Sequence, residues 1–290
     1  MQTKKTVHYL MEKKRKGVKI TRTVVYDYPM AVLAEAAGID VINVGDSIGM
    51  VILGEDTTIK VTLDFLLIHA KAVRKGAPTA FIMGDMPFLS YQVSIEESIR
   101  NAGRYLQEAE VDAVKVEGGF NVVETVKALT AASIPVVGHV GLTPQSAASL
   151  GGFRTQGRDA EAALEIVREV EALEKAGAIM IVVEAVPAEV TKIITERSSV
   201  PILGTGSGPY SDSPSINPYD MLGFYQGKVP KFVKQYAHIA DIILDAFKRY
   251  IKDVETGAFP DERFSYKMAE GEYERFLHSL EKRKKGDVHK

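Results

Sequence analysis

Four short apolar runs in the sequence each end on a carboxylate, and this repeat constrains the fold more than any other feature. The runs are VINVGD ending at Asp46, FIMGD at Asp85, AVKVE at Glu117 and IMIVVE at Glu184. The acids are separated by 39, 32 and 67 residues, close to one, one and two strand-plus-helix units. We therefore expect all four to project from the same end of successive parallel strands, where α/β proteins build their active sites.

The grouping of these acids has an electrostatic consequence. Carboxylates held close together repel one another unless shared protons or a cation offset their charge. Hard divalent cations such as magnesium are bound by carboxylate oxygens together with water. The pattern therefore indicates a site for a divalent metal at the carboxyl ends of the strands.

The remainder of the sequence continues this alternation of strands and helices. Capping boxes at Ser94 and Asn121 and the N-cap residue Asp159 mark helix starts between the apolar runs. The alternation predicts a parallel α/β sheet but does not choose between an open sheet and a closed barrel. Seven runs are predicted as buried strands: Ile20–Tyr26, Val41–Gly45, Ala80–Gly84, Ala113–Val116, Pro135–His139, Ile179–Val183 and Val200–Gly204.

The signal becomes irregular after Gly208. The segment PYSDSPSINPYD contains three prolines and no clean strand pattern, so any eighth strand is expected to be short. Helical periodicity then predicts an outer helix pair over Phe232–Val254. A helix over about 6–16 and a polar tail over about 281–290 lie at the two ends of the sequence. Since no linker or repeat is visible, residues 1–290 are predicted to form a single domain.

Composition narrows the functional class. The length of 290 residues, with 46% hydrophobic and 26% charged residues, suits one α/β barrel with a large core. A net charge of −2 argues against a nucleic-acid partner, and the two dense basic runs, 13–16 and 282–285, are interpreted as solvated helix ends. There is no cysteine, no membrane-length apolar stretch and no signal-peptide core, so a cytoplasmic enzyme without a membrane partner is expected.

Seven motifs in the sequence stand out together: Tyr26–Pro29, Val44–Met50, Gly84–Phe88, Val114–Gly119, Gly138–Ser146, Glu184–Pro187 and Gly257–Pro260. In this order they resemble the motifs of the ketopantoate hydroxymethyltransferase family, over about 6–268. The resemblance implies a (βα)8 TIM barrel of the phosphoenolpyruvate-mutase/isocitrate-lyase type with additional terminal helices. It also implies a magnesium ion, 5,10-methylenetetrahydrofolate as co-substrate, a role in pantothenate biosynthesis and a homo-oligomer, which in this family is a decamer.

The resemblance assigns roles to the four acids. Asp46 and Asp85 would be direct magnesium ligands, and Glu117 would hold the ion through a bound water, in keeping with the habit of magnesium of retaining water. The metal would stabilise an enolate of the substrate 3-methyl-2-oxobutanoate. Glu184 would be the catalytic base that removes the proton from C3 of this 2-oxo acid.

A further set of residues is expected to bind the substrate. Lys115 lies two positions before Glu117, so on a strand both side chains point to the same face, independently of any family. His139 follows a strand and is interpreted as a site residue rather than a packing residue. The predicted substrate-binding set is Asp46, Ser47, Asp85, Lys115 and His139.

The sequence also departs from the family pattern after its seventh strand. It has Asp212-Ser213 and Tyr219-Asp220 where members usually have an Asp-Gly pair and a His-Asp pair. These changes leave open whether the 209–220 loop still accepts folate. Two alternatives therefore stand beside the main hypothesis: a paralogue that forms or cleaves a C–C bond of another 2-oxo acid without folate, and a catalytically silent structural barrel.

Overall fold

The computed structural model describes residues 3–286. The end of the predicted polar tail, 287–290, lies outside the described residues. Residues up to Ala237 form one compact unit, and residues from His238 onward form a second. The first unit contains every strand and every predicted site residue among the described residues.

Eight parallel strands close into a barrel in the order of the sequence. This confirms the predicted fold class, and the seven predicted strands are all present within two residues or fewer of their expected ends. The strands are β1 Arg22–Val24, β2 Val41–Val44, β3 Phe81–Asp85, β4 Ala113–Glu117, β5 Val136–Gly141, β6 Met180–Glu184, β7 Ile202–Thr205 and β8 Ser213–Ser215.

Helices connect most of these strands, as expected for right-handed βαβ units. Nine of the eleven α-helices in the described part of the chain belong to the first unit. The helices are α1 Val7–Arg15, α2 Tyr28–Ala36, α3 Ile48–Val51, α4 Leu63–Gly76, α5 Ile95–Ala109, α6 Val123–Ala131, α7 Ala160–Lys175, α8 Ala188–Arg197, α9 Pro218–Met221, α10 Ile239–Glu255 and α11 Glu272–Gly286.

The helix caps test the local sequence signals. The hydroxyl of Ser94 accepts the N–H of the residue three positions later, at 3.1 Å, and Asp159 caps α7 in the same way at 2.9 Å. The capping box at Asn121 was wrong, because Asn121 lies inside a single 3₁₀ turn over Phe120–Val122 that precedes α6. The tight turn that follows β4 uses these residues before the α-helix begins.

The barrel interior changes from apolar to polar along its length. Alternate residues of a strand face inward. On β3, Phe81 and Met83 pack in the apolar interior, whereas Asp85, the next inward position, lines a polar cavity at the carboxyl end. On β6, Met180 and Glu184 show the same change. Apolar packing therefore stabilises one end of the barrel, and polar side chains at the other end line a cavity that can bind a ligand.

Helix α1 covers the apolar end of the barrel. Leu10 is fully buried and packs with residues of the barrel interior. Lys13 Nζ lies 2.5 Å from the carboxylate of Asp40, and Lys14 Nζ lies 2.8 Å from that of Asp212. The interpretation of Lys13 and Lys14 as solvated was therefore wrong, because both ammonium groups are mostly buried against acids at the strand entries.

Strand β8 is short, as predicted. It contains only Ser213–Ser215, with Pro214 in the middle, and no helix lies between β7 and β8. The chain after β7 instead returns directly to the apolar end, where the Asp212 carboxylate accepts the N–H of Ile202 at 2.8 Å. The barrel closes through a single register pair between β1 and β8, Arg22 with Ser215.

The helix pair predicted over Phe232–Val254 is not present as predicted. The first helix of the second unit, α10, begins at Ile239, and residues 222–237 carry no helix, so one shorter helix takes the place of the pair. None of the side chains of α10 is buried, and several large apolar ones are exposed. No helix among the described residues combines the length and the hydropathy needed to cross a membrane.

Candidate active site

A polar cavity of about 170 Å³ opens at the carboxyl ends of the strands. Every residue that the sequence singled out as a metal ligand, substrate contact or base lines this one cavity. These residues are Asp46, Ser47, Asp85, Lys115, Glu117, His139 and Glu184. The four acids therefore meet at the same end of the barrel, as their spacing in the sequence predicted.

Three of the acids are almost completely removed from water. Asp46, Asp85 and Glu117 are each at most 4% exposed, whereas the side chain of Glu184 is 22% exposed. The backbone N–H of Asp46 donates to the Asp85 carboxylate at 3.2 Å, which holds the first two acids side by side. Burial, together with the neighbouring carboxylates, raises the pKa of Asp46 well above its usual range.

Lys115 is the cation at the centre of this group. Its Nζ lies 2.8 Å from Asp85 Oδ2 and 3.5 Å from Glu117 Oε1, so Lys115 and Glu117 share a face as predicted. Burial acts to lower the pKa of Lys115, but Asp85, Glu117 and Asp46 outweigh it and raise this pKa. Burial would likewise raise the pKa of Glu117, yet Lys115 and His139 hold it at about 2. Lys115 is therefore charged in the folded protein.

His139 connects the buried acids with the more exposed one. Its Nδ1 lies 3.4 Å from Glu117 Oε1 and its Nε2 lies 3.4 Å from Glu184 Oε2. Burial and Lys115 act to lower the pKa of His139, but the two glutamates outweigh them and raise it. The imidazole therefore lies between the two glutamates, although neither ring nitrogen makes a hydrogen bond with a described residue.

A glycine brings β5 and β6 close enough for this arrangement. Gly141 has φ +87°, a conformation that favours glycine, and a Cβ placed there would lie 2.4 Å from the carbonyl oxygen of Glu184. The backbone N–H of Leu142 donates to this same carbonyl at 2.9 Å. The GHVG segment therefore fixes the backbone from which the Glu184 side chain projects.

Gln145 is a site residue that the sequence reasoning missed. Its backbone N–H donates to Glu117 Oε2 at 3.0 Å, and its side-chain amide donates to Asp46 Oδ2 at 2.8 Å and to the Met86 carbonyl at 2.9 Å. Its amide oxygen accepts the Tyr91 hydroxyl at 2.8 Å. Gln145 lies within the quoted Gly138–Ser146 motif, but neither charge nor spacing distinguished it from its neighbours.

Arg22 is a second residue that sequence reasoning did not identify. Its guanidinium lines the cavity and donates to Thr205 Oγ1 at 2.8 Å. Burial lowers its pKa to about 10, against the opposing charges of Glu184 and Asp85. Because Arg22 begins β1 inside an apolar run, nothing in the local pattern suggested that it reaches the strand ends.

The two residues that depart from the expected pattern, Ser213 and Tyr219, are both buried. Ser213 lies on β8 next to Asp212, which pairs with Lys14 at the apolar end of the barrel. Tyr219 lines a second cavity, and its neighbour Asp220 lines the polar cavity at the strand ends. The change at Tyr219 is therefore the one that lies next to the strand-end cavity.

The acids fit a magnesium ion better than a metal held by the protein alone. No three His, Cys, Asp or Glu side chains within residues 3–286 are grouped closely enough to form a complete metal site. Magnesium is commonly held by one or two carboxylates together with water and substrate oxygens. Asp85 Oδ1 is buried without a hydrogen-bond partner among the described residues. This oxygen and the crowded Asp46 carboxylate are suitable donors for such an ion.

Comparison with known proteins gives matches over most of the chain. The family model for ketopantoate hydroxymethyltransferase matches residues 4–262. A protein of Syntrophomonas wolfei named 3-methyl-2-oxobutanoate hydroxymethyltransferase is 47% identical over 265 residues, covering 91% of this chain and 96% of its own. A protein of the same name from Clostridium kluyveri is 48% identical over 265 residues, covering 91% and 95%.

Solved structures show a similar fold at much lower sequence identity. Phosphonopyruvate hydrolase, solved with oxalate and Mg²⁺, superposes with a TM-score of 0.58 at 14% identity over 96% of this chain and 99% of that one. A 2,3-dimethylmalate lyase of the PEP mutase/isocitrate lyase superfamily gives 0.58 at 16% identity over 99% of both chains. At such identities the likeness concerns the barrel fold alone.

Proposed function

This chain belongs to the ketopantoate hydroxymethyltransferase family, and we propose that its barrel cavity makes ketopantoate from 3-methyl-2-oxobutanoate with magnesium and 5,10-methylenetetrahydrofolate. It is therefore an enzyme of pantothenate biosynthesis that transfers a one-carbon group. The observation that carries the proposal is the meeting of Asp46, Asp85, Glu117, Lys115 and Glu184 in one cavity. Burial of these charged groups destabilises the fold, and a catalytically silent structural barrel would gain nothing from it.

The metal would be held by Asp46 and Asp85 directly and by Glu117 through water. When bound there, magnesium draws charge from the carbonyl of a 2-oxo acid and makes the neighbouring C–H bond more acidic. The two aspartates lie close together at this position, and the pKa values of both are raised, chiefly by burial. Gln145 fixes the orientation of Asp46 and Glu117 by donating one hydrogen bond to each, and a third bond to the Met86 carbonyl holds its own amide in place.

The substrate would bind beside Lys115. A cavity of about 170 Å³ suits a small organic acid, since sites for drug-sized ligands are about 300–1,000 Å³. The ammonium of Lys115 faces the cavity with 6% exposure and can pair with a carboxylate or ketone oxygen of the substrate. Ser47 lines the same cavity, and its hydroxyl lies 2.8 Å from that of Tyr26, which orients it.

Glu184 would remove the proton from C3 of the substrate. It is the most exposed of the four acids, and the imidazole of His139 lies 3.4 Å from its carboxylate. C3 then forms a bond to the methylene carbon of the donor as the bond from that carbon to one folate nitrogen breaks. A water molecule displaces the second nitrogen and supplies the hydroxyl group, and the protons from Glu184 and from this water pass to the two nitrogens of the departing tetrahydrofolate. Close positioning of the base and C3 accounts for the role of the rigid β5–β6 connection.

Proton exchange tests the first half of this reaction without the donor. The protein is incubated with 3-methyl-2-oxobutanoate and magnesium in D₂O, and loss of the C3 proton signal is followed by NMR. We expect exchange that stops when EDTA removes the metal and returns with added magnesium. Addition of methylenetetrahydrofolate should then give ketopantoate. Absence of exchange would contradict the enolate mechanism, and exchange without ketopantoate would favour the folate-free paralogue.

Replacement of Gln145 by Ala should weaken metal binding rather than abolish the reaction. The change removes the amide bonds to Asp46 and Met86, so the carboxylate is no longer fixed. Loss of such a supporting contact commonly costs about 10–100-fold in metal affinity. The measurement is the magnesium concentration that gives half-maximal exchange. Gln92→Ala is the matched control and should leave this concentration unchanged, because it removes two 3.3 Å bonds, one to Gln145 Oε1 and one from the Tyr91 N–H, and neither involves a carboxylate.

We also propose that the enzyme acts in the cytoplasm as a homo-oligomer, with the decamer of the family as the expected assembly. Support comes from α10, whose apolar side chains are exposed over several turns. Large exposed apolar surfaces commonly mark protein–protein interfaces. The exposed residues of this helix are Ile242, Leu244, Phe247, Tyr250, Ile251 and Val254.

A further inference from the structure

The cavity at the strand ends is too small to hold both reactants. Its volume of about 170 Å³ accommodates a five-carbon acid, whereas a folate carries a bicyclic ring and an aryl group. The donor must therefore use a second surface next to the first. A larger cavity of about 500 Å³ is lined by residues including Met50, Asp56, Tyr219, Phe224 and Tyr225.

The two cavities adjoin through two short segments. Ser47 lines the small cavity, and Met50, three residues later on α3, lines the large one. Asp220 lines the small cavity, and its neighbour Tyr219 lines the large one. Residues that line the large cavity are therefore sequence neighbours of the predicted substrate contacts, so a ligand bound there would lie close to the substrate.

A row of aromatic rings runs from the small cavity to the large one. Tyr26, whose hydroxyl contacts Ser47, lies 5.5 Å from Tyr219 between ring centroids. Tyr219 in turn stacks on Phe224 at 5.4 Å with an interplanar angle of 23°. The Tyr219 hydroxyl donates to Asp27 Oδ2 at 3.2 Å, which fixes the middle ring. Such offset stacking leaves the outer face of the last ring for another flat ring.

The last ring is exposed yet held in place. Phe224 is 42% exposed, while Tyr219 is only 5% exposed and belongs to the core. The N–H groups of Phe224 and Tyr225 both donate to the Tyr219 carbonyl, at 2.8 and 3.0 Å. Gly223, with φ +62°, allows the turn that makes these bonds. An aromatic side chain fixed at a cavity wall is suited to stacking on a ligand.

We propose that this aromatic cleft binds the bicyclic ring of the folate donor, with Phe224 stacked on its face. The inference rests on the proposed function, since it assigns the donor site of that reaction. Asp56 on the rim can accept hydrogen bonds from the amino and ring N–H groups at the edge of a pterin. Its negative charge also disfavours a phosphate or another anionic head group in the cleft.

Replacement of Phe224 by Leu tests the assignment. It keeps an apolar side chain but removes the stacking surface, so the KM for methylenetetrahydrofolate should rise by about tenfold. Deuterium exchange at C3 of 3-methyl-2-oxobutanoate, which needs no donor, should keep its rate and thereby shows that the fold is intact. The matched control is Phe153→Leu, an aromatic residue that is 53% exposed outside this cleft, and its KM should not change.

Direct binding separates failure of this inference from failure of the proposed function. Isothermal titration with tetrahydrofolate should show binding to the wild-type protein and to Phe153→Leu but clearly weaker binding to Phe224→Leu. Equal binding to all three proteins, or a fall in exchange rate for Phe224→Leu, would overturn the cleft as the donor site. Exchange without any ketopantoate from the wild-type protein would instead overturn the proposed function.

Discussion

Replacement of Glu184 by Gln should lower the rate of deuterium exchange at C3 of 3-methyl-2-oxobutanoate by about 10²–10⁴-fold, the usual contribution of a positioned base. The amide keeps the shape of the carboxylate but cannot accept the proton. His139 is the nearest other basic group, and its Nε2 lies 3.4 Å from Glu184 Oε2. The measurement is the exchange rate at saturating substrate and magnesium, followed by NMR.

The control for this variant makes the same chemical change nearby. Glu189→Gln lies five residues later, at an exposed position in the first turn of α8, and removes the same charge outside the cavity. Its exchange rate should equal that of the wild-type protein. If Glu184→Gln retained the wild-type rate, another group would have to be the base, and Glu184 would be left with a binding role.

Replacement of Lys115 by Met should affect both stability and activity. The change leaves the carboxylates of Asp85 and Glu117 buried without their cation, and loss of one partner of a buried ion pair typically costs about 3–5 kcal/mol. The substrate also loses its proposed anchor, so exchange should fall to the background rate. The free energy of unfolding is measured by urea denaturation, first in EDTA and then with magnesium.

The magnesium comparison distinguishes charge from packing. A cation bound near Asp85 would offset part of the lost charge, so magnesium should recover more stability in Lys115→Met than in the wild-type protein. Lys127→Met is the matched control, since it breaks a 2.6 Å pair with Glu124 on the exposed surface, where such pairs contribute about 0–1 kcal/mol. Equal losses of stability in the two variants would contradict the central role of Lys115.

The sequence predicted the parts of the site that follow from strand periodicity. Asp85, Glu117 and Glu184 each end a buried strand, and the regular spacing of strands in a parallel barrel brings such positions to one end. The shared face of Lys115 and Glu117 followed in the same way from the alternation of side chains along β4. These inferences needed only the spacing of the strands and the alternation of side chains along each strand, and both can be read from the order of the amino acids.

Other features depended on contacts that no local pattern encodes. Gln145 bonds to Asp46, 99 positions away in the chain, and Lys14 pairs with Asp212 across 198 positions. A polar residue has many possible partners at such distances, so its role depends on the completed barrel. The same reason explains why Tyr219 looked like an irregular loop residue, although it is the middle ring of the aromatic row.

The incomplete eighth strand divides the barrel wall into a stiff half and a compliant half. Strands β4 and β5 pair through four residue positions and β5 and β6 through five, whereas β8 meets β1 at one position and Pro214 contributes no N–H. Local opening costs least where the ladder is shortest. Local opening of the barrel wall is therefore expected first at the β8–β1 seam, whereas the longer ladders hold the backbones that carry Glu117, His139 and Glu184.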